Sequence, residues 1–147
     1  MQGKATLGGH PVHPMFVPFP IGFFTGAVIC DVISIWGNPF WPRMAVWLIA
    51  FGVIAALIAA LFGFIEYFTA PMSEPAKKTA TTHMLLNLAL VVLYLIAFIV
   101  RNPNPTSTLG YVLSFVGWGL LVISGWYGGH LAYVGLIGTK ESGTPVR

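Results

Sequence analysis

The sequence predicts an all-α protein, a transmembrane up-down four-helix bundle, and three observations lead to this fold class. Apolar residues make up 56% of the 147 residues and charged residues only 7%, whereas an ordinary soluble domain carries roughly a quarter charged residues. Four apolar stretches are long enough to cross a bilayer as helices. The connections are short, so consecutive helices should be antiparallel neighbours. We therefore expect a single domain over residues 1–147, in contact with the lipid bilayer.

The spans follow one another with turn or charge signals between them. A His/Pro segment, residues 1–14, precedes the first span, and a polar tail, residues 139–147, follows the last. Proline, glycine or charged residues close the spans, as they close helices generally. The predicted spans are Met15–Trp36, Met44–Ala70, Thr79–Val100 and Leu109–Gly138. No internal repeat is evident from the sequence.

The basic residues predict the orientation. With four spans, both termini and the loop between the second and third spans share one face, called face A, and the other loops lie at face B. Basic residues favour the cytoplasm, and face A has more of them, so both termini are expected to be cytoplasmic. The basic residues are scattered and form no nucleic-acid patch. Face A has Lys4, Lys77, Lys78, Lys140 and Arg147, and face B has Arg43 and Arg101.

Four histidines and a glutamate are predicted to meet at the face A end of the bundle. Neutral imidazole is a preferred ligand of iron, copper and zinc, so a bound Fe, Cu or Zn ion is one expectation. Two histidines facing each other across a bundle would also suit axial ligation of haem b. The candidate metal ligands are His10, His13, His83, His130 and Glu66.

Helical phase predicts which polar residues point inward. His83, Asn87 and Tyr94 form one stripe on the third span, because their offsets return to the same helix face. Polar side chains are costly in lipid, so such stripes should face the bundle interior. A second inward stripe is predicted on the fourth span at Gly119, Ile123, Trp126 and His130.

The expected haem site follows from these stripes. His83 and His130 are the first candidates for the axial pair, and His13 is the substitute for either. The full set of candidate cofactor-binding residues is His83, His130, His13, Trp126 and Asn87.

The segment from His10 to Pro14 is expected to be extended. Each proline disfavours helix at the residue before it. A polyproline path has three residues per turn and would place His10 and His13 on the same side, about 9 Å apart.

Other residues are assigned to packing. Asp31 lies near face B and is expected to pair with Arg43 or Arg101, with proton uptake as the less favoured role. Cys30 is interpreted as a small buried hydrophobe. Small residues that let helix backbones approach closely recur along the second span at Gly52, Ala56, Ala59 and Gly63, on the face of Glu66, and along the fourth at Gly117, Gly125 and Gly128.

Several motifs resemble one bacterial membrane-protein family, catalogued as domain of unknown function 2231. The resemblance covers nearly the whole chain and implies a four-helix protein of the bacterial inner (plasma) membrane, with the histidines among its signature residues. It implies no established activity. Some relatives are joined to Rieske iron–sulfur domains, which favours electron transfer, and many have aspartate in place of Glu66. The motifs are His10-Pro-Val-His13-Pro-Met-Phe-Val, Pro20-Ile21-Gly22, Asp31, Gly63-Phe-Ile-Glu66-Tyr67, His83 and Gly125-Trp-Tyr-Gly-Gly-His130.

Three functions remain open. The leading hypothesis is a haem b or metal-binding electron-transfer protein, which serves a redox partner or larger membrane complex rather than acting as a stand-alone enzyme. The second is a structural membrane subunit without a cofactor. The third is a proton or small-solute conductor that uses Asp31 and Glu66, which is ranked last because an apolar gap separates the two acids.

Overall fold

The computed structural model describes residues 5–8 and 10–134, and most of them are helical. Four helical spans are long and apolar enough to cross a membrane, which confirms the predicted all-α fold class. The first span consists of α1 (Val12–Phe16), α2 (Pro18–Ile33) and a 3₁₀ turn (Ser34–Trp36). The others are α3 (Phe40–Thr69), α4 (Glu74–Arg101) and α5 (Thr108–Tyr133).

Three of the spans begin earlier than predicted because proline starts these helices rather than stopping them. Pro75 lies in the first turn of α4, directly after Glu74, where its missing N–H costs no hydrogen bond and the acidic side chain favours the helix N-terminus. Pro42 likewise lies in the first turn of α3. Residues 135–138 of the predicted fourth span, the tail 139–147, and Lys4, Lys140 and Arg147 lie outside the described residues.

The expected extended path from His10 to Pro14 is wrong beyond Pro11. Two short antiparallel strands, β1 (Thr6–Leu7) and β2 (His10–Pro11), form a small hairpin, and α1 starts at Val12. Pro14 falls in the first turn of α1, where a proline is compatible with helix. His10 therefore lies exposed on a strand while His13 is carried on a helix, so the two do not share one side of an extended segment.

The packed centre of the bundle is built in layers along its axis. At mid-bundle the Phe24 and Tyr94 rings stack with their centres 3.8 Å apart, and both side chains are fully buried. Gly52 and Gly117 lie against these rings, and a Cβ at either glycine would crowd the ring beside it. The predicted small-residue face of the second span is thus confirmed as a packing face.

An ion pair closes the bundle towards face B. Arg101 donates hydrogen bonds to both carboxylate oxygens of Asp31, at 2.8 and 2.6 Å, and both side chains are fully buried. Arg101 also donates to Ser114 Oγ and to the Pro105 carbonyl. The pairing of Asp31 with Arg101 was one of two predicted alternatives. The other candidate, Arg43, instead donates to the Asn102 carbonyl.

We predict that Asp31→Ala destabilises the bundle strongly. Removing one partner of a buried ion pair leaves an uncompensated charge and typically costs about 3–5 kcal/mol. The measurement is the thermal melting of the purified protein in detergent. Arg43→Ala is the matched control, because that arginine makes an exposed hydrogen bond. Equal melting temperatures for the two variants would contradict the structural role of the ion pair.

Candidate functional site

A cavity of about 270 Å³ lies between the helices on the face A side of the aromatic stack. Its wall is mostly apolar, with a few polar side chains, which is the usual character of a small-ligand site. Glycine and alanine residues form part of the wall, so backbone is close to the cavity surface. The polar side chains are His13, Glu66, Tyr67, His83, Asn87 and Ser124.

His13 reaches the cavity from α1 and is anchored on α3. Its Nδ1 lies 2.7 Å from the Ala59 carbonyl oxygen. A carbonyl can only accept, so Nδ1 carries the hydrogen, and in the neutral form of the ring the lone pair is then on Nε2. The ring lies beside Gly63, where an added Cβ would be 3.0 Å from the ring atoms Nδ1 and Cε1.

His83 reaches the same cavity from α4 and is anchored on α5. Its Nδ1 lies 2.9 Å from the Ser124 carbonyl oxygen, so it is also the donor. Asn87, one turn further along α4, donates to the His83 carbonyl and to Ser124 Oγ at 2.8 and 2.7 Å. The Asn87 amide nitrogen also lies 3.1 Å from Nε2 of His83, so a ligand that binds at Nε2 would take the place of this contact. The predicted inward stripe of His83, Asn87 and Tyr94 is confirmed.

Glu66 extends the polar part of the cavity. It is buried near the end of α3, in the predicted stripe of small residues. Its carboxyl group lines the same cavity as the His13 imidazole. The sequence pattern thus placed His13, Glu66 and His83 at one end of the bundle, and the structure brings these three side chains to one cavity.

The predicted inward stripe on the fourth span is wrong. Trp126 and His130 are exposed on the outer face of α5, and neither lines the cavity. The inward face of α5 carries small residues instead, among them Ser114, Gly117 and Ser124. His130 lies in the last turn of α5, where a long polar side chain can reach the aqueous boundary instead of the bundle interior. The structure therefore does not place His83 opposite His130.

Sequence reasoning missed two backbone contributions to the site, the carbonyl groups of Ala59 and Ser124. Neither residue type signals a role in orienting a histidine. Their function depends on helix register across the bundle, which only the folded chain reveals. The available signal was that each is followed four residues later by a glycine.

A bare metal ion would need several of these side chains close together. Within residues 5–8 and 10–134, no three His, Cys, Asp or Glu side chains are grouped so that they could hold one. His13 and His83 do approach each other, with ring centres 6.4 Å apart and ring planes at 80°. The geometry offers two imidazoles to one ligand rather than a complete metal shell.

Comparison with known proteins identifies one family. A family model described as "Predicted membrane protein (DUF2231)" matches residues 9–141, which is most of the chain. The match confirms the resemblance drawn from the motifs. No curated protein and no solved structure matches the chain.

We predict that the four histidines differ in chemical reactivity. His10 and His130 are exposed, whereas His13 and His83 are partly buried and hydrogen-bonded through Nδ1. Diethyl pyrocarbonate should therefore modify His10 and His130 first, measured by mass spectrometry of the protein in detergent. Unfolded protein, in which the four should react alike, is the control. Modification of His83 as fast as His130 in the folded protein would contradict the placement of both side chains.

Proposed function

We propose that this chain, which belongs to the DUF2231 family of predicted membrane proteins, is a small electron-transfer subunit that binds haem b through His13 and His83. The observation that supports this most strongly is the pair of imidazoles from the first and third spans. Each donates Nδ1–H to a backbone carbonyl, which is the usual way in which proteins orient a metal-binding histidine.

The separation of the two rings is consistent with axial ligation. A metal–nitrogen bond is about 2 Å long, so two imidazoles whose ring centres are about 6 Å apart could both hold one iron. The observed distance between the ring centres of His13 and His83 is 6.4 Å. The pair of His13 with His83 therefore replaces the pair of His83 with His130 expected from the sequence.

Haem is favoured over a bare Fe, Cu or Zn ion by the number of ligands. The cavity offers two imidazoles and the Glu66 carboxylate, and the described residues contain no closed three-ligand group. A porphyrin supplies four nitrogen ligands itself and requires only two from the protein. Part of the cavity wall consists of glycine and alanine, and such small residues are compatible with a flat ligand.

The chain's own residues would set the properties of the bound iron. Ala59 and Ser124 hold the imidazoles through Nδ1, and Asn87 is bonded to Ser124 beside His83. Glu66 lines the same cavity as His13, and its carboxyl group, when ionised, would favour the oxidised iron. The haem would supply one-electron chemistry, and the apolar wall would keep water away from it.

The proposal also includes a location and a partner. The histidine cavity lies towards face A, which the basic residues assign to the cytoplasm of a bacterial inner membrane. Electrons would therefore be exchanged at that face with a redox partner or a larger membrane complex.

The test is an optical spectrum of the purified protein with metal analysis. Protein produced with sufficient haem should show a Soret band. His13→Ala and His83→Ala should each weaken haem binding at least tenfold, since each removes an axial ligand, while His130→Ala should bind as the unaltered protein does.

Other spectra would favour the competing functions. A folded, colourless protein that contains zinc or copper would favour the bare ion. A folded protein without haem or metal, even after reconstitution, would favour a structural subunit. Loss of the Soret band in His130→Ala with retention in His13→Ala would show that the pair is wrongly assigned.

A further inference from the structure

We infer that the chain consists of two helix hairpins that are counterparts of each other, and that each orients one imidazole in the same way. The first hairpin is formed by α1 to α3, and the second by α4 and α5. Each imidazole is oriented by a backbone carbonyl followed four residues later by a glycine: Ala59 with Gly63 for His13, and Ser124 with Gly128 for His83. We call these two pairs the imidazole seats. Their role in iron binding rests on the proposed function, whereas their role in orienting the rings does not.

The evidence for counterparts begins with the contacts across the bundle centre. The rings of His13 and His83 approach, the rings of Phe24 and Tyr94 stack, and Asp31 pairs with Arg101. In every pair the partners are 70 residues apart in the sequence. A residue that meets its own counterpart lies on a two-fold axis, as in an isologous dimer interface. The axis follows the bundle, because the first and third spans run in the same direction.

The second helix of each hairpin repeats the pattern with small residues. Gly63 lies beside His13 and Gly128 beside His83, while Gly52 lies beside Phe24 and Gly117 beside Tyr94. Within each glycine pair the separation is 65 residues. Gly110 lies beside Arg101 in the same way, and the position 65 residues earlier is the small buried residue Ala45.

This arrangement corrects the expectation that the sequence contains no internal repeat. Some counterparts differ in residue type, as Asp31 and Arg101 do, so the repeat is not evident from the sequence alone. It becomes evident from the contacts that the counterparts make in the structure. Repeats related by an axis along the membrane normal are a known way of building membrane proteins.

Each seat works because glycine exposes a helix carbonyl. The carbonyl of residue i already accepts the N–H of residue i+4 within its helix, and a side chain at i+4 would cover its outer side. With glycine at 63 and 128, an imidazole can lie against the backbone and donate a second hydrogen bond to that oxygen. An added Cβ would lie 3.0 Å from Cε1 of the histidine at either seat, so the ring would have to move.

The two seats therefore fix equivalent tautomers. In the neutral form, both rings should carry hydrogen on Nδ1 and the lone pair on Nε2, without any bound ligand. Gly63 and Gly128 are positioning residues: they touch the imidazoles and act on iron only through them.

The experiment compares Gly63→Ala and Gly128→Ala with the control Gly129→Ala. Gly129 follows Gly128 on α5 but does not line the cavity, and no atom lies within 4 Å of a Cβ added there. The first readout is the set of imidazole nitrogen shifts of the haem-free protein by NMR. We expect His13 and His83 to be Nδ1–H tautomers, with Gly63→Ala changing His13 and Gly128→Ala changing His83. The second readout is haem affinity, which should fall about 10- to 100-fold in both variants and stay unchanged in Gly129→Ala.

A second substitution tests the same contact in variants that fold poorly. If Gly63→Ala lowers the melting temperature through crowding with the ring, adding His13→Ala should restore it, because the double variant removes the overlap. In the same way, adding His83→Ala to Gly128→Ala should restore the melting temperature.

Two results would overturn the inference. One is that Gly63→Ala and Gly128→Ala are indistinguishable from Gly129→Ala, and the other is an Nε2–H tautomer at either histidine. Correct tautomers in a protein that binds no haem would leave the seats in place and refute the proposed function alone.

Discussion

The requirement that polar groups inside apolar spans find partners within the bundle determines how the helices pack. A charged side chain cannot be left facing hydrocarbon, and the fully buried Asp31 and Arg101 satisfy each other across the first and third spans. Arg101 also binds Ser114 of the fourth span and the carbonyl of Pro105. One guanidinium thus fixes three of the four spans relative to one another at the face B end.

That constraint leaves the opposite end free for a ligand. The ion pair fills the centre of the bundle towards face B, and the stacked rings of Phe24 and Tyr94 fill the middle. Towards face A the corresponding pair is two imidazoles, which do not fill the space between them, and the cavity lies there. The ion pair and the aromatic stack hold the helices together in two layers, so the histidine layer can contain a cavity. The candidate site is therefore confined to the histidine end.

The sequence was sufficient for the features that depend on composition and helix period. The spans, the polar stripe of α4 and the pairing of Asp31 at face B all follow from these. The orientation of α5 could not be predicted from its polar residues, because a histidine in a terminal turn can turn outward; the small residues Ser114, Gly117 and Ser124 mark its inward face. The roles of Ala59 and Ser124 depend on helix register across the bundle.

The counterparts also show where the two hairpins diverge at the cavity. Asn87 corresponds by the 70-residue spacing to Val17, and Glu66 by the 65-residue spacing to Leu131, and all four line the cavity. The two hairpins place their imidazoles in the same way. They differ in that Glu66 has no polar counterpart in the second hairpin and Asn87 has none in the first. Hydrogen bonds and charge near a ligand tune the potential of bound iron. The placement of the two imidazoles is thus determined by the part of the fold that both hairpins share. The polarity of the cavity beside them is determined by Glu66 and Asn87, which have no polar counterparts.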